Sequence, residues 1–301
     1  MKIIAGSSNI SFAESLAGAL NSTLSEVEIS RFANGEKRVW IKDTVKGENV
    51  VLVQTFGTPT DENIIEFLLL ADALERLGAR HVNAVIPWFG YSLQDKVFRV
   101  GEPIAAKVVA NLVSNAYIKR AFLLDLHNSS TPGFFSIPVQ HLSSQEVFAK
   151  HVHDNFDISE CVVASPDFGG LKRARVFAEK LGVELVNIDK HRDLATGQVT
   201  ALGIHGNVEN KIVILVDDVI NTGGTVISAA DILKQHGARE VHFLSSHGPL
   251  VPAALPKLQN SLVDSIVVTN SIECDQTIPK LHTVDVAPLF AQEISTWQNR
   301  Q

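Results

Sequence analysis

Two carboxylates, Asp217 and Asp218, stand directly after the apolar run at residues 212–216, and Asn221, Thr222, Gly223, Gly224 and Thr225 follow. The run, Ile-Val-Ile-Leu-Val, is too short for a free-standing helix and rich in β-branched residues, which predicts a strand buried on both faces of a parallel sheet. Beyond the glycines, Val226, Ala229, Ala230, Ile232 and Leu233 recur at helical spacing. A strand, a tight turn and a helix N-terminus leave backbone N–H groups without intrahelical partners, and the helix dipole favours an anion beside them. The hydroxyls of Thr222 and Thr225 add donors, and the glycines admit a phosphate close to the backbone. Acids next to such a nest repel phosphate, so they suit the hydroxyls of a sugar instead. Together these groups point to a ribose 5-phosphate moiety. The competing reading is an ordinary βα turn whose acids cap the helix.

Other stretches hold groups of comparable promise. Asp125 and His127 close the apolar run at 121–126; two apart on a strand they share a face, either as ligands of a divalent cation or as a hydrogen-bonded pair. Ser165-Pro166-Asp167-Phe168-Gly169-Gly170 follows another strand and opens a helix with Lys172, Arg173 and Arg175. That is a second strand–glycine turn–helix anion site, or else a solvated basic helix face. Asp189-Lys190-His191-Arg192 begins a polar stretch with Gly197, Gly203 and Gly206, which reads as a mobile lid or as a charged surface loop. Phe32-Ala33-Asn34-Gly35-Glu36 holds an Asn-Gly turn ahead of the alternating Arg38-Val39-Trp40-Ile41. Residues 87–96, with Trp88, Phe89, Tyr91, Gln94, Asp95 and Lys96, form an aromatic loop on which a base could stack, although a surface loop is the simpler account.

The elements that must carry these groups alternate between short apolar strands and amphipathic helices, the pattern of βαβ units. Strands are predicted at 2–5, 50–54, 82–87, 121–126, 161–165, 185–188, 212–216, 241–245 and 266–269, and helices at 12–20, 61–77, 103–114, 144–155, 170–181 and 225–236. The fold class is α/β, with two similar doubly wound domains of mainly parallel strands, 1–144 and 145–301. In such sheets ligands sit beyond the carboxyl ends of the strands, where most of the motifs above fall. With 301 residues, 45% hydrophobic and 20% charged, and a net charge of −7, the chain has neither the basic surface of a nucleic-acid binder nor an apolar run of the roughly 18 residues that would span a bilayer. Cys161 and Cys274 fit no metal or redox spacing, which suits a reducing, cytoplasmic setting. Walker and dinucleotide glycine patterns are missing, and no Ser/His/Asp set stands out.

The segment VDDVINTGGT resembles the ribose-phosphate loop of the type I phosphoribosyltransferase fold, shared by phosphoribosyltransferases and ribose-phosphate pyrophosphokinases (PRPP synthetases). The motifs around Phe32, Pro87, Asp125, Ser165 and Asp189 resemble the second of these families in order and along nearly the whole chain. That resemblance implies transfer of the β,γ-diphosphoryl group of ATP to the C1 hydroxyl of ribose 5-phosphate, giving PRPP and AMP with Mg²⁺. It assigns Lys190 and Arg192 to catalysis, and Asp217, Asp218, Asn221, Thr222, Gly223, Gly224 and Thr225 to ribose 5-phosphate. ATP falls to Phe32, Asn34, Glu36, Gln94, Asp95, Lys96 and His127, and the metal to His127 and Asp167. It also implies a homo-oligomer, at least a dimer, with a shared ATP site. Asn34 stands where the family usually has Asp, Leu93 where it has Arg, and His191 where it has Arg. The departures at Asn34 and Leu93 keep open a catalytically weak regulatory subunit, and a PRPP-consuming phosphoribosyltransferase ranks behind that.

Overall fold

The computed structural model describes residues 1–167, 169–192, 199–274 and 277–298, with side chains at all of these except 189–192, 199–202 and 298. The chain forms two compact units. The first takes residues 1–143, 270–273 and 285 onward, and the second takes 144–269 and 274–284.

In the first unit, β1 (Lys2–Ala5), α1 (Ile10–Ala19), β2 (Val27–Arg31), β3 (Lys37–Ile41), β4 (Asn49–Val53), α2 (Thr60–Arg76), β5 (His81–Ile86), α3 (Ala105–Asn115), β6 (Arg120–Leu124) and β7 (Val139–Leu142) follow in order. Five strands make a parallel sheet in the order β1-β4-β5-β6-β7, while β2 and β3 form a separate antiparallel hairpin. Side chains alternate between the two faces. Ile4, Leu52, Ala84, Ile86 and Leu123 meet Phe67, Leu70 and Leu74 of α2 and Val109 and Val113 of α3 in one core. Each large apolar side chain buried this way contributes about 1.5–3 kcal/mol.

Helix α2 shows why these elements start and stop where they do. Asp61 and Glu62 lie in its first turn and Arg76 in its last, both favourable toward the helix dipole. Gly78, at φ 75°, closes it, with Ala79 N–H donating to the Leu74 carbonyl at 3.1 Å and Gly78 N–H to the Glu75 carbonyl at 2.9 Å.

The second unit contains α4 (Gln145–Asn155), β8 (Cys161–Ser165), α5 (Leu171–Leu181), β9 (Leu185–Arg192), β10 (Val199–His205), β11 (Ile212–Val219), α6 (Gly224–Gln235), β12 (Glu240–His247), α7 (Ala254–Gln259), β13 (Ser265–Thr269) and β14 (Leu281–Val284). Its sheet runs β10-β9-β8-β11-β12-β13-β14, parallel throughout except for β10 against β9. One face packs on α6 and the other on α4 and α5, so Val213 and Leu215 enter one core, and Ile212, Ile214 and Val216 the other. Burial pushes the Cys161 thiol up to about 11, with Asp157 and Glu160 adding to the effect, so this cysteine behaves as a small apolar side chain. A last helix, α8 (Ala287–Gln298), belongs to the first unit, where Phe290 meets Phe12 of α1 edge to face at 5.5 Å.

Three local differences from expectation have physical causes. Strand β11 runs to Val219 instead of stopping at Val216, because Asp217 and Val219 keep their register with Ser245 and His247 of β12. The strand before His127 ends at Leu124. Asp125 adopts φ 32° while its N–H donates to the Leu142 carbonyl at 3.0 Å, so Asp125 and His127 do not share a strand face. The polar stretch after Ile188 is not loop throughout: β9 continues to Arg192, and residues 199–205 pair with it.

Candidate active site

The sheet of the second unit changes winding direction between β8 and β11, since the chain leaves β8 toward β9 on one side and β11 toward β12 on the other. Such a switch point opens a crevice at the carboxyl ends of the two strands. The two glycine turns singled out in the sequence, after β8 and after β11, are the loops that flank it.

Asp217 and Asp218 lie at the end of β11, with side chains 16% and 6% exposed. Both accept from one guanidinium nitrogen of Arg173, at 2.9 and 3.2 Å, and Asp217 Oδ1 also accepts from the Asp218 N–H at 2.9 Å. Burial, reinforced by the hydrogen bond and charge of Asp218 and opposed by Arg173, pushes the Asp217 carboxyl up to about 8. With Asp217 holding its proton up to about pH 8, the pair carries close to one negative charge near neutrality, and Arg173 faces it.

The turn that follows serves a second purpose. Gly223 caps α6 at φ 76°, and a Cβ there would lie 2.8 Å from Leu258 Cδ2, so both backbone and packing require glycine. A Cβ on Gly224 would meet only Thr222 Oγ1, at 3.9 Å, which leaves the mouth of the helix open to a ligand. Gly223, as the N-cap, supplies no side-chain hydrogen bond to this helix, and the acids stay in the strand. Neither acid is the N-cap residue of α6. Asn221, Thr222 and Thr225 are exposed around the same turn.

The neighbouring turn is packed against the acids. A Cβ on Gly170 would fall 2.7 Å from Ser165 Oγ and 3.5 Å from Asp217 Oδ1. Asp167 Oδ1 accepts from Gly170 N–H at 3.0 Å, and the Asp167 carbonyl accepts from Ser165 Oγ at 2.6 Å. Asp167, Asp217, Asp218 and the 221–225 turn thus gather at one edge of this sheet. Lys190 and Arg192 sit in β9, and their side chains lie outside the described ones.

Arg173, which the sequence places either in a second anion site or on a solvated basic helix face, is here the cation that faces the acid pair. It occupies the first turn of α5, where the helix dipole disfavours a cation, so acids nearby are needed to hold it. That unfavourable position was the available signal.

In the first unit the remaining candidates sit on two loops at the carboxyl side of the sheet and on the hairpin turn. The 32–36 turn is closed by Phe32 N–H to the Glu36 carbonyl and Gly35 N–H to the Phe32 carbonyl, both 2.9 Å, and Asn34 Oδ1 accepts from Glu36 N–H at 3.3 Å. Phe32 is exposed. Asp95 Oδ2 accepts from Asn128 Nδ2 at 2.7 Å, which ties the loop of Gln94, Asp95 and Lys96 to the loop of His127. Both loops hold a non-glycine residue in the left-handed region, Tyr91 at φ 67° and Asp125 at φ 32°. Strain of this kind costs on the order of 1–3 kcal/mol and concentrates at ligand sites. Here Tyr91 is held by its hydroxyl donating to Asp61 at 2.6 Å. The hairpin turn is not joined to these loops by any of the bonds described above.

A parallel α/β sheet with a buried acid pair and an open glycine turn at its switch point is the architecture of the type I phosphoribosyltransferase-like class. The comparisons narrow it. A family model described as the N-terminal domain of ribose phosphate pyrophosphokinase matches residues 1–116, and one described as a phosphoribosyl synthetase-associated domain matches residues 194–301. The chain is 42% identical over 293 residues to a ribose-phosphate pyrophosphokinase of Helicobacter hepaticus, covering 97% of this chain and 94% of that one. With the enzyme of that name from Thermotoga maritima it shares 38% over 296 residues, covering 98% and 94%. The crystal structure of phosphoribosylpyrophosphate synthetase from Mycobacterium smegmatis superposes with a TM-score of 0.92 at 32% identity, covering 100% of this chain and 99% of that one. The chain belongs to the ribose-phosphate pyrophosphokinase family.

Proposed function

We propose that the protein is a ribose-phosphate diphosphokinase that moves the β,γ-diphosphoryl group of ATP to the C1 hydroxyl of ribose 5-phosphate, releasing AMP and PRPP. The observation that carries this reading is the buried pair Asp217 and Asp218 beside an open helix mouth. A carboxylate pair accepts hydrogen bonds from the ribose hydroxyls, and the N–H groups and hydroxyls of residues 221–225 bind the 5-phosphate. The N-terminal division of the sequence, residues 1–144, supplies the ATP side through Phe32, Asn34, Glu36, Gln94, Asp95, Lys96 and His127. The C-terminal division, residues 145–301, supplies the ribose 5-phosphate side. Lys190 and Arg192 place positive charge against the transferring phosphoryl group, the main lever in such chemistry.

The residues present fit Mg²⁺. Asp167 and His127 are exposed, and Asp167 offers a hard carboxylate oxygen. Among the described residues no three His, Cys, Asp or Glu side chains gather into a metal cage. When bound, Mg²⁺ supplies charge neutralisation at the phosphates.

Purified chain with ATP, ribose 5-phosphate and Mg²⁺ is expected to form AMP and PRPP in equal amounts, and EDTA is expected to stop it. Folded protein that forms neither would overturn the enzyme in favour of a regulatory subunit, the reading left open by Asn34 and Leu93.

No described helix is long and apolar enough to cross a membrane, and we place the protein in the cytoplasm as a homo-oligomer. Apolar pairs one turn apart, Ile65 and Leu69 on α2 and Val108 and Leu112 on α3, stand exposed and support self-association. Light scattering should return a mass at least twice the 32.7 kDa of one chain; a monomer mass would refute it.

A further inference from the structure

The hairpin of β2 and β3 carries Phe32, Asn34 and Glu36 but is not a member of the five-stranded sheet. Two strands alone are marginal in water, so the pose of its turn must be set by what the hairpin rests on. Val39 and Ile41 pack on the core at the far end of β3. At the turn end, Arg31 and Lys37 are register partners, and each pairs with a carboxylate of α2, Arg31 with Glu62 and Lys37 with Glu66. Glu62 and Glu66 are one helical turn apart, so one face of α2 grips both strands at the mouth of the turn.

The two grips differ in kind. Arg31 and Glu62 are about half exposed, a setting in which ion pairs contribute little. Lys37 is 10% exposed and Glu66 is fully buried. Glu66 also accepts from the Ser7 N–H at 2.6 Å, from Ser7 Oγ at 2.9 and 2.8 Å, and from Gln54 Nε2 at 3.0 Å. Gln54 Oε1 in turn accepts from Ser8 Oγ at 2.7 Å. Burial works against the charge on Glu66, yet the bonds from Lys37 and Ser7 outweigh it and hold the carboxyl below its ordinary range. There is no slack around the group: a Cβ on Gly6 would lie 2.2 Å from Gln54 Oε1 and 2.8 Å from Glu66 Oε1. A charge this enclosed has one well-bonded arrangement, and the hairpin is tied to it through Lys37.

We propose that Lys37 and Glu66 are positioning residues for the nucleotide, fixing the pose of the 32–36 turn through a buried ion pair while touching no substrate themselves. The proposal rests on the reading of that turn as an ATP-side element, and the two can be tested apart. Steady-state KM values for ATP and for ribose 5-phosphate would be measured for wild type, F32A, K37M, K37R and S7A, with thermal unfolding followed in parallel. F32A tests the turn itself and should raise the KM for ATP.

K37M should raise the KM for ATP by about 10-fold or more, since small misplacements of a binding group are costly, and leave that for ribose 5-phosphate within about twofold. K37R, which keeps the charge, should recover most of the loss. S7A removes only the hydroxyl bonds to Glu66 and should shift the same constant in the same direction by less, which preserves the test if K37M does not fold. Unchanged ATP constants in K37M and S7A alongside a raised one in F32A would overturn the positioning role, as would equal rises for both substrates. No effect in F32A would remove the turn from the ATP side and the proposal with it.

Discussion

Lys190→Ala is expected to lower kcat by about 100–1000-fold while the KM for ribose 5-phosphate stays within about twofold, the pattern of a group that acts only on the transition state. Transfer of a diphosphoryl group demands little covalent chemistry of the protein, so most of the acceleration must come from charge already in place. A single preorganised donor of that kind is typically worth about 2.7–4 kcal/mol, and this converts into the stated loss. Lys190 lies in β9 opposite Ala201 of β10, beyond the residues 185–187 that pair with β8, so alanine at this position should leave the sheet intact. Single-turnover measurements would separate chemistry from product release. Unchanged turnover would remove Lys190 from the mechanism.

Arg173→Met is expected to destabilise the fold by an amount that grows as the pH rises. In the unmodified chain the Asp217 carboxyl, pushed up to about 8 by burial and by Asp218, holds its proton longer than the ordinary 3.8 allows. Between those values the folded state binds more protons than the unfolded one, so this group's contribution to stability is present at low pH and declines as the pH rises toward about 8. Arg173 opposes the shift, and without it the ionised pair has no cation at 2.9 or 3.2 Å. At acidic pH the variant relieves itself by protonation and loses little. At the alkaline end its loss approaches the roughly 3–5 kcal/mol of a broken buried ion pair. Urea midpoints measured from about pH 5 to about pH 9 would show the gap between variant and wild type widening. A constant gap would mean that the two acids do not depend on this guanidinium.

The loop after β11 could be read in the sequence because each of its parts is local. A β-branched run, two acids, glycines and a helical period fall within about twenty residues and have one economical interpretation. Arg173 could not be read this way, because its partners stand 44 and 45 positions away and are brought to it only by the parallel pairing of β8 with β11. Glu66 was hidden for a similar reason. It falls within the periodic pattern of α2 as one more polar residue, and its burial depends on Ser7, Lys37 and Gln54 from three other segments. Strands β7 and β14 are four residues each and only partly buried, too short and too mixed in polarity to show a period. The departure of Asp125 from the strand turns on one dihedral angle that residue type does not predict.

The chain passes between its two units four times, near residues 143, 269, 273 and 284. During vectorial synthesis, at roughly 5–20 residues per second, β1 and α1 leave the ribosome some 270 residues before the helix that covers Phe12. For tens of seconds, therefore, the nascent first unit carries an uncovered aromatic face. The second unit likewise waits for β14 to complete its sheet edge. Completion of each unit therefore waits on segments made late in the chain, α8 for the first and β14 for the second.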